Sequence, residues 1–149
     1  MTKVMNVAMI GGGFMGKAHA MAYASMPMFF WPAPAIPHRK VIVDITDGAA
    51  EEARQRFGFE ESSSDWRAVV NRPDIAVVDI CTPNNVHAEI AIAAARAGKH
   101  IICEKPLART VEEARAMTDA AKAAGIIHMV AFNYRRTPAV ALAKKFIDE

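Results

Sequence analysis

The sequence predicts an α/β fold: one doubly wound, parallel sheet with helices on both faces. Three observations predict it. Apolar runs rich in strand formers alternate with helix-like segments along the chain. These runs are continuously apolar rather than alternating, the pattern of strands covered on both faces. The first run leads directly into three glycines and then a helical stretch, the strand–turn–helix order with which such sheets begin.

Each element follows from its own residues. VMNVAMI (4–10) is the first strand, and the helix after the glycines extends to about Met26. Pro27, Pro32, Pro34 and Pro37 then recur, so the segment from Met26 to His38 is expected as a long apolar loop. No Asp, Glu, Lys or Arg lies between Lys17 and His38, but the prolines exclude a membrane-spanning helix there. KVIVDI (40–45) is the second strand, AAEEARQRF (49–57) a helix, and GFEES (58–62) a short edge strand. Asp65 caps a short helix, DWRAVV. IAVVDIC (75–81) is the clearest buried strand, stopped by Pro83 and Asn84. VHAEIAIAAARAG (86–98) is a helix closed by Gly98, and HIIC (100–103) is a strand. Thr110 and Glu113 form a capping box for a helix that ends near Gly125. IIHMVAF (126–132) is the last strand, and Thr137-Pro138 opens the last helix. Five clear strands and one doubtful one fit a Rossmann sheet in the order 3-2-1-4-5-6.

Composition narrows the function. The 149 residues amount to one domain, with an apolar fraction of 52% and a charged fraction of 23%, as in a soluble globular protein. The net charge is +2, and the basic residues occur in scattered pairs rather than a patch. Neither nucleic acid nor an anionic membrane is expected as a partner. Cys81 and Cys103 both sit in apolar runs and are expected as buried free thiols, which fits a cytoplasmic location. No metal-ligand spacing joins them to the five histidines, so no metal is expected.

Gly11, Gly13 and Gly16 form G-x-G-x-x-G between a strand and a helix, the context the motif requires. Gly11 allows the tight turn, Gly13 lets the backbone approach a pyrophosphate, and Gly16 lets the helix lie close to the sheet. The helix N-terminus, starting at Phe14 and Met15, presents free N–H groups and a positive dipole end to phosphates. Asp44 ends the second strand, where a carboxylate takes the ribose hydroxyls of the adenosine half. Its bland alternative, capping the next helix, is a job Asp47 could do. Ile45 and Thr46 follow Asp44 with no arginine to hold a 2′-phosphate, so NAD is expected ahead of NADP.

Ligands of such sheets lie outside the carboxyl ends of the strands. Those ends are Gly11, Asp44, CTPNN (81–85), CEKP (103–106) and FNYRR (132–136), and the polar clusters fall there. GGGFMGKAH, CTPNNVHAE, AGKHIICEKPLA and FNYRRTP, in this order, resemble the glucose-fructose oxidoreductase / inositol dehydrogenase / rhizopine-catabolism (Gfo/Idh/MocA) family over the whole chain.

That resemblance implies an NAD- or NADP-binding Rossmann domain over 1–149. A following α+β domain would supply the substrate pocket and much of a homo-oligomer interface. It implies hydride transfer between the nicotinamide and a secondary alcohol of a sugar, cyclitol or similar small molecule. Lys105 resembles the family's active-site lysine, and Glu104 a residue beside the nicotinamide ribose. An amine beside the reacting oxygen can exchange its proton and stabilise developing charge. Pro106 fixes the backbone so that Lys105 points out, and the Lys105–Pro106 peptide is expected to be cis. Thr82, Asn84 and His87 match a loop on the cofactor's ribose and pyrophosphate side, though Asn84 could equally be a helix cap and His87 a surface histidine. Asn133 and Arg136 match positions facing the active site. The family's remaining catalytic groups, an Asp and a His, belong to the second domain, which is expected to lie outside this chain. A stand-alone nucleotide-sensing module is the alternative function, and it has no use for Lys105.

Overall fold

The computed structural model describes residues 2–149. Its strands are β1 (Lys3–Ile10), β2 (Ala35–Val43), β3 (Glu61–Ser63), β4 (Val77–Ile80), β5 (His100–Cys103) and β6 (His128–Val130). They form one sheet in the order β3-β2-β1-β4-β5-β6, and every pairing is parallel. The chain works outward from β1 to β3, then returns to β4 on the other side of β1. The switch point therefore lies between β1 and β4. The helices are α1 (Phe14–Phe29), α2 (Asp47–Phe57), α3 (Trp66–Val70), α4 (His87–Arg96), α5 (Val111–Ala123) and α6 (Pro138–Asp148).

Side chains of a strand alternate between its two faces, and the core divides accordingly. Met9 and Ile42 pack with Ala20 of α1, Ala53 of α2 and Phe59 on one face. Ala8, Ile10, Val41, Val43, Val78 and Ile80 pack with residues of α3, α4 and α5 on the other. Continuously apolar strands are needed because both faces are covered.

Local chemistry sets the helix starts. Thr46 accepts from the Ala49 N–H, Asp65 from Ala68, and Thr110 from Glu113. Thr46, and neither Asp44 nor Asp47, is thus the cap of α2. The Glu113 carboxylate reaches back to the Arg109 N–H, one residue earlier than a capping box requires.

The expected loop from Met26 to His38 is mostly regular structure. Helix α1 continues through Pro27 to Phe29. The proline removes one helical N–H, but Phe30 N–H still donates to Met26 O at 3.1 Å, which keeps the last turn closed. Strand β2 begins at Ala35 and passes through Pro37. Proline is tolerated there because β3 lies beside only Val41–Val43, leaving the first half of β2 as an edge. A bulge between Arg39 and Val41 leaves Lys40 unpaired with β1; its ammonium bridges Glu60 and Glu61. Phe29, Phe30 and Trp31 are all exposed, Trp31 to 90% and Phe30 least, at 58%. They lie at and just beyond the far end of a 16-residue helix, roughly 24 Å from its glycine start. Among the described residues, no helix is long and apolar enough to cross a membrane.

Ile80 is fully buried in central strand β4. Replacing it with alanine is expected to cost about 2–5 kcal/mol of stability, measured as a lower urea midpoint with an unchanged m-value.

Candidate functional site

The strand ends are aligned to the residue. Ile10 pairs with Val43 and Ile80, Ile80 with Cys103, and Cys103 with Val130. The next residue on each strand donates its N–H to a neighbouring strand: Gly11 to Val43 O, Asp44 to Ser63 O, Cys81 to Ile10 O, Glu104 to Ile80 O and Ala131 to Cys103 O, all at 2.8–3.2 Å. The loops carrying Gly11, Asp44, Thr82 and Glu104–Lys105 therefore leave the sheet from one row. Strands lie about 4.8 Å apart, so Asp44 and Glu104 are separated by three spacings, roughly 14 Å.

The glycine turn occupies the middle of this row. Gly11 has φ +102°, and a Cβ there would meet Cys81 O at 2.7 Å. At Gly16 a Cβ would lie 2.1 Å from Gly11 O, so helix and turn touch backbone to backbone. Gly12 was given no role by sequence, yet its Cβ would meet Asp44 Oδ2 at 2.8 Å. Gly13 differs from these: a Cβ there meets nothing, and the residue is exposed. Phe14 is 85% exposed and Met15 half-buried at the first turn of α1. Asp44 is fixed by two backbone donors, Gly12 N–H to Oδ2 at 2.9 Å and Ile45 N–H to Oδ1 at 2.7 Å. Each carboxylate oxygen retains accepting capacity.

A cleft of about 570 Å³ runs over the turn and is lined by Gly11–Gly13, Asp44 and Thr82, among others. The Thr82 hydroxyl is buried and has no hydrogen-bond partner among the described residues. Asn85 lines this cleft. Asn84, beside it, is half-buried at the start of a 3-10 turn (Asn84–Val86) and is not a helix cap, since no side chain caps that turn or α4.

His87 is a core residue, 1% exposed. Its Nε2 lies 2.8 Å from Thr82 O and its Nδ1 3.1 Å from Pro106 O. The ring thus ties the loop after β4 to the loop after β5. Pro106 follows a cis peptide, as expected. Glu104 is buried and accepts the Lys105 N–H at 2.9 Å, while the Lys105 side chain is exposed. Asn133 and Arg136 are exposed on a 3-10 turn after β6. Arg136 lines a separate hollow with Phe132 and Arg135, so the glycine cleft and this last loop are distinct.

Sequence reading missed a polar cluster beneath the Glu104 loop. Asp79 is fully buried within β4. Tyr23 OH donates to its Oδ2 at 2.7 Å, and His19 Nδ1 lies 2.9 Å from the same atom. His19 Nε2 lies 3.1 Å from Glu104 Oε1. Cys81 Sγ is 3.5 Å from the His19 ring, a proximity that sequence spacing did not reveal. The hydrogen bond to Asp79 holds the His19 ring above the ordinary imidazole value, against the opposing effect of burial. Burial pushes the Cys103 thiol up to about 12 and the Cys81 thiol higher still, so neither is a ready nucleophile. A signal for the cluster existed: Asp79 is a charge inside an apolar strand, which needs partners when buried.

Known proteins match this chain along most of its length. The family model described as an oxidoreductase family with an NAD-binding Rossmann fold, Gfo/Idh/MocA, matches residues 5–132. Levoglucosan dehydrogenase of Pseudarthrobacter phenanthrenivorans is 72% identical over 97% of this chain and 37% of its own length. A scyllo-inositol 2-dehydrogenase (NAD(+)) of Bacillus subtilis is 35% identical over 95% of this chain and 39% of its own. A solved structure of levoglucosan dehydrogenase in complex with NADH and levoglucosan superposes with a TM-score of 0.95 at 70% identity. It is covered over 39% of its length, against 98% of this chain. The chain thus spans under two fifths of these relatives.

Gly13→Ala and Gly16→Ala are expected to behave differently. The first leaves the melting temperature of the ligand-free protein unchanged, because its methyl enters open space. The second lowers it by several degrees, because helix α1 must retreat from Gly11 O. Scanning calorimetry of the two variants checks this.

Proposed function

We propose that this chain, a member of the Gfo/Idh/MocA oxidoreductase family, is the dinucleotide-binding part of an NAD-dependent dehydrogenase. Its substrate would be a secondary alcohol of a sugar, anhydrosugar or cyclitol. The observation that carries this reading is the single row of strand ends, which brings the glycine turn, Asp44, Thr82 and Glu104–Lys105 to one edge.

The residues fit a dinucleotide. A phosphate needs close backbone approach and free N–H groups, and exposed Gly13 at the start of α1 offers both. Asp44, held by two N–H groups, would take the hydroxyls of the adenosine ribose. The partnerless Thr82 hydroxyl lies between the two ends of the row and would gain a partner from the ligand. Glu104 would meet the nicotinamide ribose, and Lys105 the reacting alcohol. We assign Asn84 to the same cofactor loop and Asn133 and Arg136 to the substrate side. His87 acts by holding the loops together rather than by contact.

Bound nicotinamide supplies the hydride acceptor. The chain's contribution is to place Lys105 where it can take the hydroxyl proton as the hydride leaves the carbon. A levoglucosan-like sugar is the first substrate to test, because the relatives at 70% and 72% identity carry that name. The family resemblance also supports a second, α+β domain, a homo-oligomer and a cytoplasmic location for the whole protein. A nucleotide sensor would leave Lys105 without a task.

Isothermal titration is expected to show NAD binding at least about tenfold tighter than NADP, because Asp44 would face the 2′-phosphate. Equal affinity would refute the placement of Asp44. The 149 residues alone are expected to bind NAD but not to reduce it with levoglucosan or inositol. Positioning the substrate can supply roughly 7–11 kcal/mol of the barrier, and the open cleft offers no second wall for it. Lys105-dependent turnover by this chain alone would refute that.

A further inference from the structure

A buried carboxylate in the middle of an apolar strand is costly unless its neighbours donate to it. Asp79 takes two donors from α1, His19 and Tyr23, which are four residues apart and share one helix face, and a weaker one from the Cys81 thiol at 3.6 Å. The far side of the His19 ring is turned to Glu104. Glu104 is in turn held on its other oxygen by the N–H of Lys105.

We propose that His19 is a positioning residue whose ring straps helix α1 and Asp79 to Glu104, and so fixes the Glu104–Lys105 loop at the nicotinamide end of the site. This rests on the dinucleotide reading above. Carboxylates only accept hydrogen bonds, so a ring with one at each nitrogen satisfies both only when both nitrogens carry protons. The groups facing the ring are Asp79 and Cys81 from β4 and its loop, Tyr23 from α1, and Glu104 from the end of β5. The raised value of His19 is what this geometry requires. The sign follows. The strap is complete below the ordinary imidazole value of 6.5 and is lost as the pH rises through the raised folded value. Asp79 is the more deeply buried carboxylate and the nearer to the ring, at 2.9 Å against 3.1 Å, so on deprotonation the remaining proton stays on Nδ1 and Glu104 is the carboxylate released. His19, Asp79 and Cys81 also lie close enough together to suggest a cation site. The 2.9 Å from Nδ1 to Asp79, however, is shorter than the roughly 3.3 Å between two ligands of one tetrahedral ion, and marks a hydrogen bond.

The test titrates NADH and ADP, which lacks both the nicotinamide and its ribose, into the protein and its His19→Gln variant. A glutamine amide cannot donate from two ends of a ring. NADH affinity is expected to fall about tenfold, with ADP changed by less than about twofold. In a Glu104→Gln background the His19→Gln effect on NADH should vanish. Unmodified protein should lose NADH affinity as the pH climbs through the raised value of His19, and both variants should lose that dependence. Unchanged NADH binding, equal weakening of both ligands, or an undiminished effect in the Glu104→Gln background would overturn the proposal. If circular dichroism shows His19→Gln unfolded, the pH profile of Glu104→Gln decides alone: a slope that survives there refutes the strap. Failure of the unmodified protein to bind either ligand would instead remove the cofactor reading, and this inference with it.

Discussion

The structure depends on the register of its parallel ladder. Five residues, each the first beyond its strand, are held by N–H bonds to neighbouring strands. A slip of one residue on any strand would turn its core side chains to the opposite face. It would also move that strand's loop out of the row. The pattern that buries Ile10, Val43, Ile80 and Cys103 therefore also places Gly11, Asp44, Cys81 and Glu104 side by side. Packing and site geometry are two results of one alignment. The backbone contact between Gly16 and Gly11 fixes α1 to the row at its centre.

The loop after β5 shows how backbone and side chain are treated differently. It is held from the α1 side through Glu104 and from the α4 side through His87, which reaches the Pro106 carbonyl. The Lys105 side chain between these ties is exposed. A fixed backbone beneath a free side chain suits the role proposed for Lys105.

The sheet order, the strands and the caps Asp65 and Thr110 were legible because each depends on local pattern. The segment from Met26 to His38 was not. Prolines were read as breakers, but Pro27 falls where the last helical turn closes without it, and Pro37 falls on a sheet edge. Whether a proline breaks an element depends on which backbone groups have partners, and that is a tertiary fact. In the site, the glycines, Asp44 and Glu104–Lys105 were visible as motifs. The burial of His87 was not, since its partners are carbonyls of loops 5 and 19 residues away. His19, Tyr23 and Asp79 come from separated segments, and only the unusual charge in β4 announced them.

The margins of the sheet are short or obstructed. Both outermost strands, β3 and β6, have three residues. The longer open margin is the first half of β2, and it carries Pro37, His38, Arg39 and the bulged Lys40. Proline offers no N–H, the bulge breaks the spacing, and the Arg39 carbonyl is already taken by the Glu60 N–H. A stray strand from another molecule therefore finds few amides in register to join at these edges.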